Sequence, residues 1–224
     1  MLAYSIANPD NDDLPSEFAG VRAALHAYLA GLDYGKISNA TRTFAGELYW
    51  ELANQNVRLS IINFNYTPSF KHLRSSISNK NVDCFHIHGS IDQANIVFGV
   101  ADEETVGSQG HLALKKSFQT NQDGSTTVST SVGDKLSPVR QVHFFGHSLG
   151  PTDHFHFREF FRNSQAKEIF VYYYGEADLL NLRAQLDTLT GQAFAIFSTR
   201  NRVVRFLDCS KTFRPEMLQH IDGS

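Results

Sequence analysis

The chain is poor in cysteine, in excess basic charge and in long apolar runs. Cys84 and Cys209 are its only cysteines among 224 residues, far apart and without metal-ligand spacing. That scarcity excludes a disulfide scaffold and fits a reducing compartment. The formal net charge is −3, so no basic face is required and nucleic acid is not implied as a partner. No stretch reaches the roughly 20 apolar residues of a membrane span. The opening "MLAYSIANPDNDD" has no basic leader region. Together these absences read as a soluble, cytoplasmic protein with no membrane partner. No internal repeat is visible.

A core is nevertheless available. Hydrophobic residues make up 42% and charged residues 19%, a balance that supports a folded chain and argues against disorder. The length suits one domain over 1–224, with two small ones as the alternative.

Periodicity divides this domain into a helical lead-in (1–56) and a sheet core (57–208). Ser16 caps a helix through "EFAGVRAALHAYL", with Val21, Leu25, Tyr28, Leu29 and Leu32 at helical spacing. A second helix covers Thr43 to Asn54. The β-branched run from Val57 to Phe64 predicts a buried strand. "SFKHLRSSI" predicts a short helix, and "VDCFHIHG" and "NIVFGV" two short strands. Ala101 to Ser137 is polar, and Asn121 to Asp134 reads as a loop or hairpin tip. Strands then alternate with helices: "VRQVHFF", "DHFHFREFFRN", "EIFVYYY", "EADLLNLRAQLDTL" and "RVVRFL". Alternation of this kind predicts an α/β fold, a three-layer arrangement with a mostly parallel sheet and helices on both faces.

Gly146-His147-Ser148-Leu149-Gly150 has the G-x-S-x-G spelling of a nucleophile elbow. An elbow needs a strand, a sharp turn at Ser148 and a helix starting there, which makes a serine esterase one alternative. Pro151 opposes it by biasing Gly150 away from the helical region. Thr152 and Asp153 look like fresh caps, which starts the helix about four residues late. The plain structural reading is that the two glycines permit a tight turn.

Three stretches end strands in polar, turn-forming residues: "NFNYT", "HIHGS" and "FGHSLG". Ligands of open α/β sheets bind at the carboxyl ends of strands. The pattern therefore aims Asn63, Asn65, Thr67, His86, His88, His147 and Ser148 at one rim. His86 and His88 flank Ile87, so both should share one strand face, and one of them could be a core histidine bonded to a carbonyl.

"FNYT", "HIHG" and "FGHSLG" with Thr152-Asp153 resemble the AbiH-type bacteriophage abortive-infection family from about Val57 to Tyr174. The same elements are distantly similar to a sirtuin-type, Rossmann-like fold. The resemblance implies phage defence as the setting and NAD as the nucleotide bound and hydrolysed. It implies that Asn65 faces the nicotinamide-side ribose and that His88, immediately before Gly89, is the general base. It further implies that Gly146 and Ser148 form the turn that holds ribose or phosphate, with Thr67, His147 and Asp153 as further contacts. The role of Asp153 is unassigned. The chemistry is coherent. A neutral imidazole takes a proton from a hydroxyl or water, and an amide orients it during an oxocarbenium-like cleavage.

One feature of the resemblance is missing. Such proteins open with a glycine-rich strand–turn that cradles pyrophosphate, whereas the first glycine here is Gly20 and "NPDNDDLP" before it is acidic. The alternatives are an N-terminally shortened member, leaving one strand edge exposed, or a member that lost nucleotide binding. The latter is a non-catalytic binding module for a phage component or partner protein. A metal site drawn from His86, His88, His147, His154, His156 and Asp153 is a further alternative, although no complete ligand motif appears.

Overall fold

A computed structural model describes residues 14–34, 43–55, 57–74, 81–99, 139–163, 165–191 and 202–214. The expected polar loop near 119–137 lies outside the described residues. The chain divides into two compact units. One holds Met1–Ile37, Ile61–His72 and Cys84–Ser131, and the other Ser38–Ser60, Leu73–Asp83 and Val132–Ser224.

The elements in chain order are α1 (Leu14–Ala30), α2 (Phe44–Asn54), β1 (Leu59–Asn63), α3 (Ser69–Arg74), β2 (Val82–His86), β3 (Gln141–Phe144), α4 (His154–Asn163), β4 (Glu168–Tyr173), α5 (Gly175–Thr190) and β5 (Val203–Asp208). Short 3-10 turns occupy Ile91–Gln93 and Pro151–Asp153. The chain is an α/β protein. β1 and β2 form a two-stranded sheet, and β3, β4 and β5 a three-stranded sheet in that order. Both pairings of the second sheet are parallel, with Phe144 opposite Val171 and Tyr173 opposite Asp208. In the first, Leu59 N–H bonds the Asn81 carbonyl at 3.0 Å and Ile87 N–H the Asn63 carbonyl at 2.9 Å. The partners advance together along both strands, which is the parallel pattern.

Alternation along the strands gives the three-stranded sheet two different faces. Phe170 and Tyr172 point to one face, where they pack with Leu48, Phe44 and Leu52 of α2 and with Phe213 and Leu207. Phe44 meets the Tyr172 and Phe213 rings edge-on at 5.6 and 5.1 Å. Phe144 points to the opposite face, against Phe157, Phe160 and Phe161 of α4. Helices thus cover both faces of this sheet, and Ile169 to Val171 of the central strand are essentially fully buried. The imidazole of His143 lies flat on Phe170, with ring centroids 4.6 Å apart, and its Nδ1 shares a hydrogen bond with the Tyr172 hydroxyl at 2.9 Å. Burial pushes His143 down to about 4 and raises the Tyr172 phenol above its usual range.

Four local expectations need correction. α1 begins at Leu14, so Ser16 sits inside the helix instead of capping it. Its inward face runs through Phe18, Leu25, His26 and Leu29, whereas Val21, Tyr28 and Leu32 are exposed. Residues 95–99 of "NIVFGV" form no strand. Val97 N–H bonds the His88 carbonyl and the Val97 carbonyl takes the Tyr66 hydroxyl; a side chain holds one side, so no ladder repeats. Finally, β2 ends at His86, so Ile87 and His88 belong to the following turn. Thr43, by contrast, does cap α2, its hydroxyl accepting the Gly46 N–H at 3.1 Å. Both cysteines are free thiols.

Candidate functional site

Two polar rims grow from strand ends, one in each unit. The first begins where β1 stops. The Asn63 side-chain oxygen accepts the Asn65 N–H at 2.9 Å, closing an Asx turn. The turn leaves Asn65 exposed and presents its carbonyl to His86, whose Nδ1 lies 2.9 Å away. A carbonyl can only accept, so Nδ1 of His86 carries the proton. The next carbonyl, of Tyr66, accepts the Ile91 N–H at 3.0 Å, and the Tyr66 hydroxyl reaches Val97. Thr67 and Ser69 share a hydrogen bond between hydroxyls at 3.1 Å, at the start of α3.

The "HIHGS" turn is locked around glycine. Gly89 has a φ of +72°, and a Cβ there would overlap the Asn95 carbonyl. The Asn95 side-chain oxygen accepts the Ser90 N–H at 2.8 Å, and the His88 carbonyl accepts Val97 N–H at the same distance. This closure buries His88, 5% exposed, with its ring edge-on to Phe64 at 5.5 Å. The two histidines therefore differ: His86 is half-buried at the strand end and His88 is buried in the turn. His26 of α1 joins the same turn, its Nε2 donating to the Ile91 carbonyl at 3.0 Å. A cavity of about 360 Å³ in this unit is lined by Ala30, Tyr34, Pro68, Lys71, Ile91 and Asp92, and Lys71 pairs with Asp92 there at 3.4 Å. Its size falls within the range of small-molecule sites.

The second rim follows β3. Gly146 adopts a φ of +63° with open space around it, so its backbone conformation alone explains the glycine. Leu149 is also left-handed, at φ +54°, although it has a side chain and is wholly buried. Three side chains hold this conformation. Nδ1 of His147 accepts the Leu149 N–H at 2.9 Å. Because an amide N–H can only donate, the His147 proton is on Nε2, which donates to Asp153 Oδ2 at 3.2 Å. His154, itself 3% exposed, donates from Nε2 to the Leu149 carbonyl at 3.1 Å and lies 3.2 Å from Gln185 Oε1. From the sequence alone Asp153 has no assigned role and His154 is only one histidine of a cluster. Their signal was an Asp-His pair just after a Gly-Pro helix entry, where buried side chains can reach back to the turn.

Around these fixed groups, Ser148 stays exposed. It is not placed as an elbow nucleophile: the left-handed residues of the turn are Gly146 and Leu149, not Ser148, and α4 opens only at His154. A metal centre finds no support either, since among the described residues no group of three or more His, Cys, Asp and Glu side chains could hold an ion. Among the described residues no helix is long and apolar enough to cross a membrane.

The structure thus brings Asn65, Thr67, His86 and His88 together on one rim and Gly146, His147, Ser148 and Asp153 on the other, each within its own unit. Comparison with curated proteins and with solved structures gave no match. The family model described as bacteriophage abortive infection AbiH matches residues 16–174, more than half of the chain and both rims. The chain therefore belongs to the AbiH family of bacteriophage abortive-infection proteins.

Proposed function

We propose that this AbiH-family protein acts in phage defence by binding NAD in the cytoplasm and hydrolysing its nicotinamide–ribose bond. The observation that carries the reading is the first rim, where an exposed carboxamide, Asn65, stands next to a strand-end imidazole held by the Asn65 carbonyl. Cleavage of an N-glycosidic bond needs an oriented hydroxyl or water and a base to take its proton. Asn65 supplies the orientation and a histidine of "HIHG" the base. The distant sirtuin-like character of the family resemblance supports NAD as the substrate.

Incubating the purified protein with NAD should release nicotinamide and ADP-ribose, measured by chromatography. Asn65→Ala should slow that release by about 10²-fold, the usual scale of lost positioning. No nicotinamide release by the wild-type protein would end the catalytic reading.

One observation favours a second reading. His88, His147 and Asp153 are all engaged in holding turns together, as in a scaffold that recognises a phage component or partner protein without turnover. NAD binding without nicotinamide release, or no binding at all, would select it.

A further inference from the structure

We infer that His86, and not the glycine-adjacent His88, is the proton acceptor of the Asn65 rim. The inference rests on the NAD hydrolysis proposed above and deepens it by assigning the base.

The assignment follows from which nitrogen is occupied. The Asn65 carbonyl takes the Nδ1 proton of His86 at 2.9 Å. In a neutral imidazole the other nitrogen then holds a lone pair. Among the described residues nothing else bonds Nε2 of His86. A carbonyl on Nδ1 does for His86 what an orienting partner does for any catalytic imidazole: it sets the tautomer, fixes the ring plane and stabilises the ring once it has gained a proton. The residue that supplies the carbonyl also supplies the exposed carboxamide, so base and orienting group are positioned by one Asx turn.

His88 has the opposite surroundings. It is 5% exposed and edge-on to Phe64. Its carbonyl is tied to Val97 and its neighbour Gly89 is wedged against Asn95, so the backbone that carries the ring is held in the closed turn. It is a positioning and packing residue for the turn. The expectation that both rings share one strand face fails because β2 ends between them.

Nε2 of His86 takes a proton from water, and the water oxygen bonds to the anomeric carbon of the nicotinamide-bearing ribose. The carbon–nitrogen bond breaks, and its electron pair goes to the positively charged pyridinium, which leaves as neutral nicotinamide. The imidazolium then returns one proton to solvent, leaving ADP-ribose.

His86→Asn is the informative substitution, because the Asn side-chain amide can still donate to the Asn65 carbonyl while Nε2 is gone. It should lower kcat by 10²- to 10⁴-fold, with KM and melting temperature little changed. His88→Asn should lower the melting temperature. The reverse pattern, with His88→Asn inactive but fully stable and His86→Asn active, overturns the assignment. A second measurement does not depend on turnover. Diethyl pyrocarbonate, mapped by mass spectrometry on the folded wild-type chain, should modify His86 quickly and spare His88, and NAD should protect His86. Modification of His88 ahead of His86 overturns the inference. If wild-type protein releases no nicotinamide, the hydrolysis itself fails, and the labelling order alone then supports or overturns His86 as the accessible base.

Discussion

At the scale of single residues, two backbone positions are more demanding than any side chain on the rims. Gly89 combines a φ of +72° with contact against the Asn95 carbonyl, so an added methyl has neither the right dihedral nor the space. A left-handed side-chain residue alone costs roughly 1–2 kcal/mol, and here the obstacle is backbone that cannot swing aside. Gly89→Ala should therefore lower the melting temperature sharply and expose His88, measured by thermal unfolding together with histidine labelling. Leu149 pays a similar dihedral cost, but its side chain is completely buried. Leu149→Gly removes the strain and also the packing. Loss of a buried leucine outweighs the relief, at about 2–5 kcal/mol against 1–2, so the variant should be less stable in denaturant titration. The glycines in both motifs were legible as turn formers. That Leu149 would be the strained member of "GHSLG" was not, because nothing in a leucine's identity announces a left-handed backbone. It becomes visible only with His147 and His154 holding its N–H and carbonyl.

At the scale of elements, local signals worked where one side chain decides an end and failed where tertiary bonds do. Thr43 precedes α2 and caps it, as its hydroxyl and position suggest. Thr43→Ala should cost about 1 kcal/mol of stability, read as a parallel shift in urea midpoint with unchanged slope. Ser16 offered the same hydroxyl and is not a cap, since a helix that packs through Phe18 can begin a turn earlier. The apolar run "EIFVYYY" predicts a strand and β4 is one, and its central place between two parallel neighbours explains why four successive residues are buried. "NIVFGV" looks as apolar and β-branched as β1, yet its bonds run to the His88 carbonyl and to a tyrosine hydroxyl. Composition cannot say where a segment's hydrogen bonds will go. The same blind spot put His86 and His88 on one face, when the strand ends between them and the turn inverts their exposure.

At the scale of the whole molecule, alternation of strands and helices was enough to foresee parallel pairing and helices on both faces of β3–β4–β5, since parallel strands require crossovers. A pH dependence was not legible in the same way, because His143 looks like any strand histidine until Phe170 lies beneath it. Its folded value is held near 4 by burial, against about 6.5 in the unfolded chain. The unfolded state therefore binds more protons between those two values, and stability must rise with pH across that window. Above about pH 6.5 the ring is neutral in both states and contributes no pH dependence. Between pH 7 and pH 5 the native state should lose roughly 2 kcal/mol through this one group, at 1.36 kcal/mol per pH unit. His143→Gln retains a hydrogen-bonding partner for the Tyr172 hydroxyl and cannot titrate. It should be less stable than wild type at pH 7, because it gives up the stack on Phe170, but that deficit should shrink by about 2 kcal/mol at pH 5. Chemical denaturation of both proteins at the two pH values measures the difference directly. Equal pH slopes would mean that His143 gains its proton without leaving the folded sheet, and that the stack on Phe170 tolerates an imidazolium.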